Sequence, residues 1–291
     1  MPQVPEKYMP PPAHQLPLQE NGIVATSGYC RKCKVIHGLP MGRAQYHCQE
    51  LIHHFQQNET IDLDFDKEST VTGRAERQLS TDYLFGRARG KMFGVLECLD
   101  TEGTTVIIRA FSGQYNGKWS VAGWAPPLFD LTEFKNTNNP VERQIKALGT
   151  QMEGLEHGSE EWRTLRQMRR SMSRQLMKDL HGLYQLHNFR DQVVSLSKAY
   201  AGENGIPTGT GDCCAPKLLN HAARMRLTPV SIAEFYWGLD NKSNTRHHGR
   251  FYPSCREKCQ PILGYLLCGA QESDKGERAA NKAYTGGNDI R

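Results

Sequence analysis

Metal-binding side chains crowd the region after residue 28. Cys30-x2-Cys33-x3-His37 is followed by His47 and Cys48. A CxxC knuckle offers two thiolates at tetrahedral spacing, and a histidine with one more cysteine can complete a four-ligand shell. Cys30, Cys33, His37 and Cys48 are therefore expected to hold a structural zinc, because a full thiolate and imidazole shell leaves no position open for chemistry. A cluster of surface thiols that gather by chance is the alternative. The chain has nine cysteines, an odd number. In a reducing compartment, clustered cysteines in a chain of ordinary size mean metal ligands more often than disulfides.

A second set stands far along the chain. Cys213 and Cys214 follow a glycine-rich loop, and Cys255-x3-Cys259 comes some forty residues on. Each pair stands where the pattern starts a helix, and there free amides and the helix dipole favour thiolate over thiol. Cys213, Cys214, Cys255 and Cys259 form the second expected metal set, with buried structural cysteines as the alternative. The order loop, Cys, helix, strand, loop, Cys, helix is the layout in which zinc deaminases hold their metal. That chemistry needs a glutamate just beyond the first ligand as proton shuttle. Here Cys213 is followed by Cys214 and Ala215, and Cys214 by Ala215 and Pro216. The spacing of the second pair is C-x3-C rather than C-x2-C. Only Asp212 and Glu234 are placed to act as a shuttle, so the layout is deaminase-like without the usual acid.

Basic side chains are patterned as well. Arg163, Arg166, Arg170 and Arg174 fall on one face of a helix, with Arg169 and Lys178 nearby. Such a stripe can run along a phosphate backbone, or it can be a solvated face paired with Glu156, Glu160 and Glu161. Arg246 and Arg250 flank a second basic loop, Asn244-Thr-Arg-His-His-Gly-Arg250. Gly209 and Gly211 resemble a phosphate loop only weakly, since no G-x-x-x-x-G-K-[ST] is present. Lys217, in the first turn after them, is expected to meet phosphate. Tyr115, Trp119, Trp124 and Phe129 read as core more than as a base-stacking platform.

These groups need elements to carry them. Leu51, Ile52 and Phe55 predict a helix over 44–55. Segments 92–98 and 104–111, joined by Thr101-Glu-Gly103, predict a β-hairpin. Residues 119–124 add a strand ended by Pro126-Pro127. Leu148, Met152 and Leu155, and then Trp162, Leu165, Met172, Leu176 and Leu183, predict an inserted helical hairpin within 136–198, broken at His157-Gly-Ser159. A helix over 216–226, a strand over 229–237 and a last helix after Cys255–Cys259 reaching about 268 complete the pattern. The expected fold is α/β (α+β), with a small mixed sheet, flanking helices, deaminase-like topology and the helical hairpin as an insertion. The segments are a flexible tail (1–22, with Pro10-Pro11-Pro12), a zinc knuckle and first helix (23–57), a β-hairpin region opening on a polar loop at 58–75 (58–135), the helical hairpin (136–198), a Cys-rich α/β half (199–269) and a disordered tail (270–291).

The 291 residues are 38% hydrophobic and 23% charged, which is ordinary for a globular chain, and the net charge of +5 is too mild to prove a polyanionic partner by itself. The N-terminal stretch has no apolar h-region, and no apolar run approaches a membrane span, so the expectation is a cytoplasmic protein without a membrane partner.

Several strings resemble a known family. Thr208-Gly-Thr-Gly-Asp-Cys-Cys-Ala-Pro-Lys-Leu-Leu219, Ala233-Glu-Phe-Tyr-Trp-Gly238 and Phe251-Tyr-Pro-Ser-Cys-Arg-Glu-Lys-Cys-Gln-Pro-Ile-Leu263 are similar to the N-terminal region of long RluA-type pseudouridine synthases. Ala110-Phe-Ser-Gly113, Gly123-Trp-Ala-Pro-Pro-Leu128, Arg170-Ser-Met-Ser-Arg174 and the Cys30/Cys33/His37 spacing resemble the same region. Those synthases continue into a catalytic domain with an H-R-L-D-type motif, which this sequence does not contain. The resemblance implies an accessory module that binds structured RNA (rRNA or tRNA) for a separate synthase chain. A zinc-dependent nucleobase or nucleotide deaminase is the alternative.

Overall fold

The computed structural model of the chain describes residues 24–65 and 76–270. The expected tail at 1–22, the expected tail at 270–291 apart from Ala270, which is described and buried, and positions 66–75 of the polar loop lie outside the described residues. The fold is mixed α+β, with small sheets flanked by helices.

The centre is a three-stranded antiparallel sheet. β3 (Lys91–Leu99) lies in the middle, with β4 (Thr105–Phe111) on one side and β7 (Thr228–Trp237) on the other. Phe93 faces Phe111 across one pair and Phe235 across the other. β3 reads as a nearly unbroken apolar run because both of its faces are covered. On one face α1 (Ala44–Asn58) lays Leu51 and Phe55 against Phe93, Val95, Ala233, Phe235 and Trp237. Phe55 and Phe93 meet edge to face at 4.8 Å. The opposite face carries Leu96, Cys98, Ile108, Ala110 and Ile232. α5 (Cys214–Arg224) covers it, and α6 (Gln260–Leu266) packs against α5. Gly94 lets α5 come close, since a Cβ there would lie 2.8 Å from that of Cys214.

A two-stranded ribbon precedes α1: β1 (Val24–Cys30) pairs with β2 (Val35–Pro40), joining Cys30 to Val35 and Gly28 to His37. The ribbon rests on α6 backbone to backbone. Gly28 and Gly264 meet there, and a Cβ on either would overlap the other element's main chain.

The helical hairpin is present and longer than expected. α2 (Leu131–Glu153) starts before the predicted boundary at 136. Asp130 caps it by accepting from Thr132 N and Glu133 N, and it runs through Pro140. α3 (Glu160–Leu183) is capped by Ser159. α2 buries no residue, and α3 buries only Leu176, Leu180 and His181 near its end, so the hairpin projects from the body. A short hairpin follows, β5 (Gln185–His187) with β6 (Val193–Ser195), and then α4 (Leu196–Ala199). Residues 119–124 form turns, not the expected strand. Trp124 is instead fixed in the core by Nε1 donating to Ile61 O. Among the described residues no helix is long and apolar enough to cross a membrane.

Candidate metal centres

The structure gathers two groups of cysteines. In the first, Cys30, Cys33, His37 and Cys268 place their ligand atoms within 4.8 Å of one another. Cys30 ends β1, Cys33 lies in the turn to β2, and His37 is on β2. Cys268 lies two residues past the end of α6. The glycine contact between ribbon and α6 brings the two ends of this set together. The sulfurs of Cys33 and Cys268 are 3.5 Å apart. Sulfurs sharing a tetrahedral ion at the usual Zn–S length stand about 3.8 Å apart, so the spacing fits a bound metal.

The fourth ligand corrects the sequence expectation. Cys48 stands apart on α1, fully buried, and its thiol donates to Ala233 O at 3.4 Å. Burial holds that thiol well above its ordinary pKa, and the Glu234 carboxyl adds to the effect. It points into the sheet because the apolar face of α1 must, and Cys48 lies on that face with Leu51 and Phe55. His47 pairs with Glu50. The signal for Cys268 was available: CxxC plus histidine lacks one thiol, and Cys268 is the last cysteine of the chain.

In the second group Cys213, Cys255 and Cys259 converge, again within 4.8 Å. Cys213 is the residue before α5, and Cys259 the residue before α6. Cys255 opens the turn between, with Gln260 N bonded to its carbonyl at 3.0 Å. The sulfurs of Cys255 and Cys259 are 3.3 Å apart. Cys214 does not join them. As the first residue of α5 it turns towards the sheet, fully buried, and donates to Met92 O at 3.2 Å. Burial raises its pKa well above the ordinary value, so it stays a thiol. Of the two adjacent cysteines, helix geometry leaves only Cys213 on the metal side.

Charge is shared unequally within each group. Hydrogen bonds from Cys213 and Cys259 pull Cys255 down to about 2, and those same bonds push the two donors up. In the first group burial opposes ionisation of Cys30, but the amides of Cys33 and Lys32 and the neighbouring thiols outweigh it. Burial and those thiols push Cys268 up to about 12. The second cluster thus holds one thiolate, Cys255, among protonated neighbours, and in the first Cys30 is the thiol drawn towards ionisation. That is the donor set a divalent cation completes by displacing the remaining protons.

A buried carboxyl adjoins the second group. Glu234 faces α5 from β7, where burial raises its pKa to about 7 against the pull of a bond from Ser254. Ser254 Oγ donates to Glu234 Oε1 at 2.7 Å and lies 2.7 Å from Thr26 Oγ1 on β1. Ser254 immediately precedes Cys255, so this chain of hydroxyls ties the ribbon, the metal turn and the sheet together. Asp212 is half-buried, accepting from Tyr184 Oη at 2.7 Å.

The basic residues divide. Arg163, Arg166, Arg170 and Arg174 are exposed on α3, and among the described residues none of the four forms an ion pair. Arg166 lies over the Trp162 ring at 5.2 Å. Arg246 packs over Tyr252 at 4.3 Å, and Arg250 is exposed. Lys217 is a correction. It is 1% exposed, and Nζ donates to Phe111 O and Gly113 O, which binds α5 to the end of β4. Burial pulls its pKa down to about 8. Its position in the first turn of α5 points it at the sheet rather than at solvent.

Both candidate centres can hold a metal ion, one with four ligands and one with three. Compared with protein-family models, curated proteins and solved structures, the chain matches none of them.

Proposed function

We propose that this chain is a zinc-stapled RNA-binding module that presents structured RNA to a uridine-modifying domain on another chain. The resemblance to long RluA-type synthases supplies the context. The observation that carries the reading is the stripe Arg163, Arg166, Arg170 and Arg174, exposed and free of ion pairs among the described residues, on a hairpin whose helices bury almost nothing. A projecting helix with unneutralised arginines suits a phosphate backbone, because each contact made releases counterions. Zinc suits both donor sets, since it takes thiolates with an imidazole, as in the first, and thiolates alone, as in the second. Its part is to fix the ribbon and the heads of α5 and α6, on which the hairpin's base is carried.

The test is binding of a structured rRNA or tRNA fragment across a salt series. Arg163→Gln, Arg166→Gln and Arg170→Gln together should weaken binding at 100 mM salt by roughly a hundredfold and lower the salt slope by about three. Unchanged affinity and slope would reject the reading.

A second reading is favoured by one observation. The carboxyl of Glu234, with its pKa near 7, is held by Ser254 beside Cys255. Three ligands are what catalytic zinc sites use, and a zinc ion there would supply Lewis acidity and an activated water. Glu234 would hold and pass a proton, as in a nucleobase or nucleotide deaminase. Release of ammonia from a cytidine and adenosine panel, lost in Glu234→Gln, is the assay. No release by zinc-loaded protein removes this reading.

A further inference from the structure

A cleft of about 380 Å³ opens at the root of the helical hairpin. Its apolar wall is Pro126, Pro127 and Leu131, where the chain enters α2. Its opposite wall is Gln185 and His187 of β5 with Asn220 and Arg224 of α5. Both helices of the hairpin thus join the body beside this cleft, since α2 begins at Leu131 and α3 leads directly into β5.

Asn220 marks the cleft as a binding site. It is 3% exposed, and its Oδ1 accepts from His187 N at 2.7 Å. That backbone donor fixes which way the amide is turned, so Nδ2 is the donor offered to the cleft the residue lines. Among the described residues Nδ2 has no hydrogen-bond acceptor, and it is not one of the fully enclosed polar atoms without a partner, so it is open to the cleft. Around it the polar groups are complementary. Burial and the Arg224 charge lower the pKa of His187, so its ring is neutral near pH 7 and offers one donor and one acceptor. The Gln185 side chain and the guanidinium of Arg224 are exposed at the rim. The cleft joins an apolar wall, one amide donor open to it and a rim cation, and the Asp130 carboxylate that also lines it already accepts from Thr132 N and Glu133 N.

We propose that this cleft binds a single unpaired nucleotide, its base against Pro126–Pro127 with an acceptor atom on Asn220 Nδ2 and its phosphate at Arg224. An amide donor beside a neutral imidazole recognises the edge of a base, and a guanidinium at the mouth recognises the phosphate that follows it. The source of the nucleotide as an RNA bulge or loop rests on the RNA reading above. The cleft chemistry itself does not.

The experiment uses the full metal-loaded chain and NMR titration with the four nucleoside 5′-monophosphates, the matching nucleosides, and inorganic phosphate. The expected result is saturable shifts at Gln185, His187 and Asn220 for at least one nucleotide. The Asn220→Asp variant, which keeps the acceptor for His187 N, should weaken binding about tenfold. Arg224→Ala, at an exposed position, should weaken the monophosphate but not the nucleoside. A parallel arm compares a perfect RNA duplex with the same duplex carrying one bulged nucleotide. Wild-type protein should favour the bulge about tenfold, and Asn220→Asp should erase that preference while still binding the perfect duplex. Two results overturn the proposal: no shifts at the cleft for any nucleotide at 10 mM, or equal competition by inorganic phosphate. Loss of duplex binding with cleft shifts intact would leave the cleft proposal standing and remove the hairpin reading.

Discussion

The two cysteine clusters stand at opposite ends of one short helix and differ in what they can do. Cys259 leads into α6 and Cys268 follows it, so α6 carries a ligand of one cluster at its head and of the other past its end. The C-terminal cluster has four side chains, one of them a histidine, and draws them from the ribbon and from the chain beyond α6. Four ligands close the shell and make the site a staple. The N-terminal cluster has three thiols from α5 and the turn before α6, and it adjoins the buried Glu234–Ser254 pair. The lesson is that ligand count and second neighbours, rather than cysteine spacing, separate a staple from a site that can take a further ligand.

Removing a ligand should break the comparison most visibly. Cys268→Ser is expected to cost one metal equivalent and on the order of 4 kcal/mol of stability, because the ribbon then loses its tie to α6. Cys48→Ser should keep both metals and cost about 1 kcal/mol, since it alters only a thiol that donates to Ala233 O. Thermal melts with metal analysis of both variants check this pair. Equal metal loss in the two would return Cys48 to the shell.

Acid must be separated from metal loss, and His248 supplies the background. Its ring packs against Trp237 at 4.2 Å with the planes tilted by 49° and accepts from Gly238 N, and burial lowers its pKa to about 4. The unfolded chain takes up this proton near pH 6.5, so the stabilisation is complete above that pH and is lost as pH falls from 6.5 towards 4. The loss is at most about 3 kcal/mol, less after solvent screening. His248→Asn should flatten this limb in chemical denaturation at pH 7 and pH 5. An unchanged limb would assign it to the metal ligands.

The second cluster should respond more mildly. Cys213→Ser is expected to release one metal and cost about 2 kcal/mol, whereas Cys214→Ser should release none. Loss of metal from Cys214→Ser would mean that the helix head presents the other thiol. The smallest effect is kinetic. In metal-stripped protein Cys255 is already thiolate, so its alkylation should be flat between pH 6 and 8, while Cys268, pushed up to about 12, should react slowly with a rate that rises with pH. A rate at Cys255 climbing tenfold per pH unit would contradict the shared-proton arrangement.

The sequence made local patterns legible and left tertiary convergence hidden. The β3–β4 hairpin, β7 and the first helix were readable from apolar period and turn residues, because each buries a continuous face. The hairpin's start was placed late. The boundary was expected at 136, yet Asp130 caps the helix six residues earlier. The ribbon strands were missed because β2 alternates weakly and exposes Val35 and Ile36. Cys48, Cys98, Cys213, Cys214 and Cys268 do not differ by type or spacing in a way that separates ligand from core thiol. Which face each occupies decides it: Cys48 and Cys214 fall on faces that meet the sheet, whereas Cys213 and Cys268 lie just outside helices. Lys217 shows the same limit, since one turn of α5 directs it to two backbone carbonyls.

The most direct measurement is the metal content and sulfur coordination of the purified full chain, by elemental analysis and X-ray absorption, alongside Cys268→Ser and Cys213→Ser. Two zinc equivalents with sulfur-dominated shells, falling to one in each variant, is the outcome these two thiol clusters predict. A wild-type chain that binds no metal, or one whose metal content neither variant alters, would contradict it.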